Sequence, residues 1–142
     1  MKLVKHLLDN KGTEIISITE DASVLDAIKL MAERAVGSLL VMDGDVLKGI
    51  VTERDYARKV IVKGRASDTT RVGEIMTAKV CTATVEQTVN DCMTIMTNRR
   101  IRHLPVVVDD NVIGLISIGD LVQAIIADQQ EEIQHLEQYI SG

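Results

Sequence analysis

Phenylalanine and tryptophan are absent from this 142-residue chain, and tyrosine occurs only twice. The interior must therefore be built from Val, Ile, Leu, Met and Ala. The same shortage removes the aromatic platforms on which single-stranded nucleic acids stack. Cysteine is nearly as scarce: Cys81 and Cys92 are the two present, without C-x-x-C spacing. A reduced, cytoplasmic protein is the simple reading. Positive charge is in deficit, with 16 Lys and Arg against 21 Asp and Glu, a net charge of −5 and a pI of about 5.2. Affinity for a phosphate backbone comes from neutralisation by Lys and Arg. Nucleic-acid binding is therefore not expected, and any anion site has to be local. No apolar run approaches the ~20 residues that span a bilayer, so no membrane association is expected. The charged start, Met1 to Asp9, has no apolar stretch of the kind a leader needs, so no signal peptide is expected.

What is present suffices for a core. Hydrophobic residues make up 46% and charged residues 26%, a composition that disfavours disorder. The length fits one compact domain. The strongest signal is internal repetition. A slide of 65 residues takes Gly49 onto Gly114 without a gap, and with it Thr19 onto Thr84, Asp26 onto Asp91 and Met31 onto Met96. Leu39 then meets Leu104, Val41 meets Val106 and Asp55 meets Asp120. In each half, Ser23 or Thr88 stands three residues before an aspartate, as in a capping box. Val24, Ile28, Met31 and Ala35 follow at helical spacing, as do Val89, Met93, Met96 and the polar Arg100. Two apolar runs around a turn come next, with turns at Asp43–Asp45 and Asp109–Asn111, and these favour hairpins. A second helix is predicted from Thr52 and from Ser117. Each half thus reads as β-α-β-β-α, and the fold class as α+β.

The first repeat is expected over 1–63, opened by a short amphipathic segment, Val4 to Leu8. A polar linker follows over 64–71. The second repeat runs over 72–127, opened by Val72 to Met76, and a helical tail covers 128–142. Ile126, Ile133 and Ile140 recur every seven residues in a stripe like a coiled-coil seam. Two heptads are too few to stand alone, so the tail is expected to pack on the module or on a second subunit.

Leu-Lys-Gly-Ile-Val-Thr-Glu-Arg-Asp (47–55) and Val-Ile-Gly-Leu-Ile-Ser-Ile-Gly-Asp (112–120) resemble the Gly-h-h-Thr/Ser-x-x-Asp signature of cystathionine-β-synthase-type (CBS) motifs. Ile-Arg-His-Leu-Pro-Val-Val (101–107) is similar to the segment entering the central strand of that motif. The resemblance covers about Ile15 to Val122 and is nearest to small stand-alone CBS-pair proteins, without an appended catalytic or channel domain. It implies two repeats packed with pseudo-two-fold symmetry, with nucleotide clefts between them. It also implies that Thr/Ser-x-x-Asp of one repeat holds a ribose while strand-edge residues of the other sandwich the base. One cleft would use Thr52 and Asp55, with Arg54 in reach, against Ile101, Arg102, His103 and Pro105. The other would use Ser117 and Asp120 against Thr13, Ile16, Val36, Gly37 and Ser38. The implied ligand is an adenine nucleotide, AMP first and then ADP or ATP, with NAD(H) or S-adenosylmethionine as alternatives. Such pairs commonly form homodimers. A ligand would tie the repeats and bias their relative angle, which a partner protein reads.

The residue types suit that chemistry. One ionised carboxylate can accept both hydroxyls of a ribose diol. A hydroxyl at a helix start lies beside free N–H groups, Gly37 permits close backbone approach to a base, and an Arg fork suits phosphate. Plainer readings stand beside them. Thr52 with Asp55 and Ser117 with Asp120 also fit simple capping boxes. Arg99 and Arg100 end a helix, where cations are favoured anyway, and Arg58 and Lys59 read as surface residues. The cysteines and methionines read as core. His6 and His135 have no partner at metal spacing, so no metal is expected. No catalytic constellation is legible, and a non-enzymatic signal-transduction module is expected. A ligand-free docking module working through its tail and a thiol oxidoreductase using Cys81 or Cys92 are the rivals.

Overall fold

The computed structural model describes residues 2–12 and 14–141. The chain divides into two compact units: Glu14–Cys81, and a second assembled from Met1–Thr13 and Thr82–Gly142. Division in space therefore differs from division along the sequence. The short segment before the first repeat joins the unit built from the second, and the segment before the second repeat joins the unit built from the first.

In the unit Glu14–Cys81, β1 (Ser17–Ile18) lies parallel to β2 (Ser38–Asp43), which pairs antiparallel with β3 (Val46–Thr52). Helix α2 (Val24–Arg34) begins where the Ser23 hydroxyl accepts the Asp26 N–H at 3.1 Å. It buries Val24, Ala27 and Met31, positions that share one helical face. Ala35 does not extend that stripe: it closes the helix in the left-handed region at φ 55°, exposed to solvent. Helix α3 (Glu53–Tyr56) continues as a π-helical turn, Ala57–Ile61, that brings Val60 into the core. Leu39, Val41, Val51, Val72 and Ile75 complete this core, with Tyr56 packed at its edge. The segment 64–71 is tied down: Thr70 is buried, its carbonyl accepts the Val24 N–H at 2.8 Å, and that of Ser67 accepts the Leu25 N–H at 3.0 Å. Helix α4 (Val72–Ile75) then leads Thr77 into paired hydrogen bonds with Ile50, at 2.9 and 3.0 Å.

The other unit repeats the plan. Its first strand shrinks to one bridge, Ala83 with Val106. Helix α5 (Val89–Arg99) carries a reciprocal Thr88–Asp91 capping box and ends on Arg100, again left-handed at φ 55°. Strands β4 (His103–Val108) and β5 (Asn111–Ser117) form the hairpin. Its two-residue turn places Asp109 and Asp110 at φ 50° and 66°, the twist that tight hairpins need; Asn111 belongs to the strand. Bulges fall at Val41/Met42 and Val106/Val107, 65 residues apart like the sequences around them. Helix α1 (Val4–Lys11) docks on β5 and is stitched in by Val4 N–H to the Gln87 carbonyl (2.9 Å) and Val89 N–H to the Lys2 carbonyl (3.0 Å).

The signature glycines serve these docked segments. A Cβ on Gly49 would lie 2.6 Å from the Thr77 carbonyl oxygen and 2.8 Å from Met76 Sδ; one on Gly114 would lie 2.7 Å from Leu8 Cδ2. Helix α6 (Ile118–Ser141) has 24 residues, about 36 Å of rise. It packs on α5 and β5 through Leu121 and Ala124. The tail is its unbroken continuation and does not pack down along its length: Ile133, Leu136 and Ile140 are 54%, 61% and 82% exposed. Among the described residues no helix is long and apolar enough to cross a membrane.

Candidate functional site

Each unit presents one polar corner where the hairpin's second strand turns into a helix. In the unit Glu14–Cys81, that corner joins β3 to α3. The Thr52 hydroxyl accepts the Asp55 N–H at 3.2 Å and donates to Asp55 Oδ2 at 3.1 Å, while Oδ2 also accepts the Thr52 N–H at 3.0 Å. Asp55 Oδ1 faces Lys59 Nζ at 3.1 Å, and the same ammonium donates to the Ile75 carbonyl at 2.9 Å. The Asp55 side chain is only 13% exposed, and this network partners both of its oxygens. Across the hairpin Ser38 sits opposite Thr52, and the Gly37 carbonyl accepts the Glu53 N–H at 3.1 Å. Val36 follows the left-handed cap of α2. Ser38 is buried, Val36 and Gly37 half-buried, and Arg54 exposed on α3. Ile16 is half-buried against the core, its carbonyl accepting the Leu40 N–H. Thr13 lies outside the described residues.

The second corner joins β5 to α6. The Ser117 hydroxyl accepts the Asp120 N–H at 3.2 Å, and Asp120 Oδ2 accepts the Ser117 N–H at 2.8 Å. Lys11, from α1, donates to Asp120 Oδ2 and to the Leu115 carbonyl, both at 2.6 Å. Burial pushes the Asp120 carboxyl upward, but the bonds from Lys11 and Ser117 outweigh it and hold the group below the ordinary carboxylate value. Asp120 is therefore ionised at neutral pH. His103 lies opposite Ser117 in the hairpin, and the Arg102 carbonyl accepts the Ile118 N–H at 2.9 Å. Burial, then the Lys11 charge, lower the His103 pKa; Asp120 pulls the other way and Arg102 adds to the lowering. The imidazole is thus kept neutral. Ile101 is half-buried, Arg102 exposed, and Pro105 buried two residues into β4, opposite Leu115.

Within each unit the structure therefore gathers Thr52 and Asp55 with Val36, Gly37 and Ser38, and Ser117 and Asp120 with Ile101, Arg102 and His103, whereas the resemblance sets each pair against the strand-edge residues of the other repeat. Both capping boxes form, so the capping role of these residues is real. Two members were not foreseen. Lys59 is no idle surface residue, and its spacing of four from Asp55 was the available signal. Lys11 stands 109 residues from Asp120, with no local pattern to announce it. Chemically, each corner offers an anchored carboxylate, a hydroxyl and an ammonium, a set able to hold a diol and an anionic group. The Cys92 thiol offers less: it is buried, and burial first, then the Asp91 charge, push its pKa to about 11.

The CBS domain family model matches residues 6–62 and 72–127. The mitochondrial CBS domain-containing protein CBSX3 of Arabidopsis thaliana is 48% identical over 129 residues, which cover 87% of this chain and 63% of that protein. The chain thus spans less than two thirds of that relative. A solved protein with CBS domains from Burkholderia ambifaria MC40-6 superposes with a TM-score of 0.87 at 53% identity, covering 90% of this chain and 96% of that one. A CBS domain pair solved in complex with 5-methylthioadenosine and S-adenosyl-L-methionine is 26% identical, with a TM-score of 0.75 and coverage of 90% and 98%. With two matched repeats, duplicated corners and these relatives, the chain belongs to the CBS domain family and carries two CBS domains in tandem.

Proposed function

We propose that this chain is a non-enzymatic sensor that binds an adenine nucleotide, AMP in preference to ATP or NAD(H), and signals to a partner protein. The observation that carries the reading is the pair of anchored carboxylates, Asp55 and Asp120, each beside a hydroxyl at the mouth of a helix. In the proposal these carboxylates accept the ribose hydroxyls, with Val36 to Ser38 and Ile16 flanking the Asp55 corner in its unit and Ile101 to His103 and Pro105 flanking the Asp120 corner in the other. The relative that binds two adenosine-derived ligands supports the ligand class. Signalling is a population shift, bounded by the ligand's differential affinity for two states. The proposal takes the protein as cytoplasmic and as a homodimer, and sedimentation checks the dimer. A thiol enzyme built on Cys92 is disfavoured because that buried thiol, its pKa pushed up to about 11, supplies little thiolate.

Titration calorimetry of the full chain with AMP, ATP, NADH and S-adenosylmethionine tests the reading. Saturable heat is expected from AMP, with the weaker ligands ranked behind it. No heat from any of the four overturns it.

A further inference from the structure

At the Ser117–Asp120 corner the carboxylate is already engaged by a cation from elsewhere in the chain. Lys11 Nζ has two acceptors, Asp120 Oδ2 and the Leu115 carbonyl, each at 2.6 Å. The Lys11 side chain is 39% exposed, so it can turn outward without unfolding anything. Helix α1 does not depend on it. That helix is held by backbone bonds to Val85 and Gln87, by Leu8 against Gly114, and by the Lys2–Asp128 pair at 3.7 Å.

We infer that Lys11 is a specificity residue that makes the Ser117–Asp120 corner select ligands carrying both a vicinal diol and an anionic group. The inference rests on the nucleotide reading proposed above. A diol settling on Asp120 competes with Lys11 for the carboxylate. A neutral nucleoside that wins leaves the ammonium with one uncharged acceptor, the Leu115 carbonyl, and forfeits a charge-assisted hydrogen bond. A phosphorylated nucleoside returns an anionic acceptor to the same ammonium. Arg102, exposed just before β4, adds positive potential at that corner, and neutral His103 sets no negative charge against the phosphate. The selected class is therefore nucleoside phosphates over uncharged adenosine derivatives.

His103, opposite Ser117, supplies a local probe of this corner alone. Its ring-proton resonances, assigned with His103→Gln, are followed while AMP, adenosine and 5-methylthioadenosine are titrated into the full chain. Wild type is expected to bind AMP about tenfold or more tightly than the neutral compounds, the scale of one charge-assisted bond. Lys11→Met should bring that ratio close to one, chiefly by weakening AMP, and Lys11→Arg should restore it. An unchanged ratio in Lys11→Met overturns the role of Lys11 while leaving nucleotide binding intact. If none of the three compounds moves the His103 signals or binds wild type at all, the nucleotide reading falls and the role of Lys11 with it.

Discussion

The two units share a plan down to the position of a bulge and of a left-handed residue, yet they anchor their carboxylates differently. Asp55 draws its cation from four residues along the same helical segment, whereas Asp120 draws Lys11 from another helix. The shift of 65 residues shows why: the position matching Lys59 is Ala124, which is buried against the unit. Both repeats carry the carboxylate, only the first carries the local lysine, and in the second the N-terminal helix supplies the cation. Duplicated corners can thus keep one geometry while drawing their cation from different elements.

The exchanged helices give the largest test of this comparison. Gly49 opposes a backbone oxygen, whereas Gly114 opposes the tip of a leucine side chain. Gly49→Ala should therefore cost about 2 kcal/mol, within the usual range for overpacking, and Gly114→Ala less than about 1 kcal/mol because Leu8 can rotate. Urea denaturation of the two variants checks the order, and equal losses would show that the two docking contacts are alike. A smaller effect concerns the helix ends. Ala35→Gly removes a left-handed alanine and should stabilise by up to about 1 kcal/mol. Arg100→Gly should gain less, since it also strips a cation from the C-terminus of α5. Melting temperatures measured side by side settle the ranking.

The smallest effect is one of pH. His103 lies in the unit containing α1, and the sequence from Glu14 to Cys81 contains no histidine. Because the folded state lowers the His103 pKa from its ordinary 6.5, the unfolded chain takes up a proton first as pH falls. The stability that neutral His103 contributes is present above about 6.5 and is lost as pH drops toward the folded value. Asp120, shifted down from 3.8, keeps its contribution through that window and loses it only at lower pH. Amide exchange at pH 7 and pH 5, corrected for its intrinsic rate, should therefore show β4–β5 loosening more than β2–β3. His103→Gln should abolish the difference.

Much of this was legible in the residues. The gapless repeat gave the element order, because identical burial needs recur along each half. The hairpins and capping boxes followed from short-range rules. What escaped is tertiary. Nothing in Val4–Leu8 or Val72–Met76 states which unit each will join, since both bury apolar residues at the same spacing, Val4 with Leu7 and Val72 with Ile75. Ala35 and Arg100 adopt left-handed backbone without a glycine to signal it. The glycines of the signature were legible as a motif, but their reason, close approach of a docked segment, needed coordinates. Lys59 could have been read from its spacing and Lys11 could not.

The central claim is that Asp55 and Asp120 bind a ribose in addition to capping helices. Asparagine separates the two roles, because it keeps an oxygen to accept the backbone N–H but loses the charge that grips a diol. The decisive measurement is AMP affinity and melting temperature for wild type, Asp55→Asn and Asp120→Asn. The account predicts an affinity loss of about tenfold or more in at least one variant, with melting within a few degrees of wild type. Undiminished AMP affinity in both variants, with melting temperature lowered, would contradict it and leave these residues as caps alone.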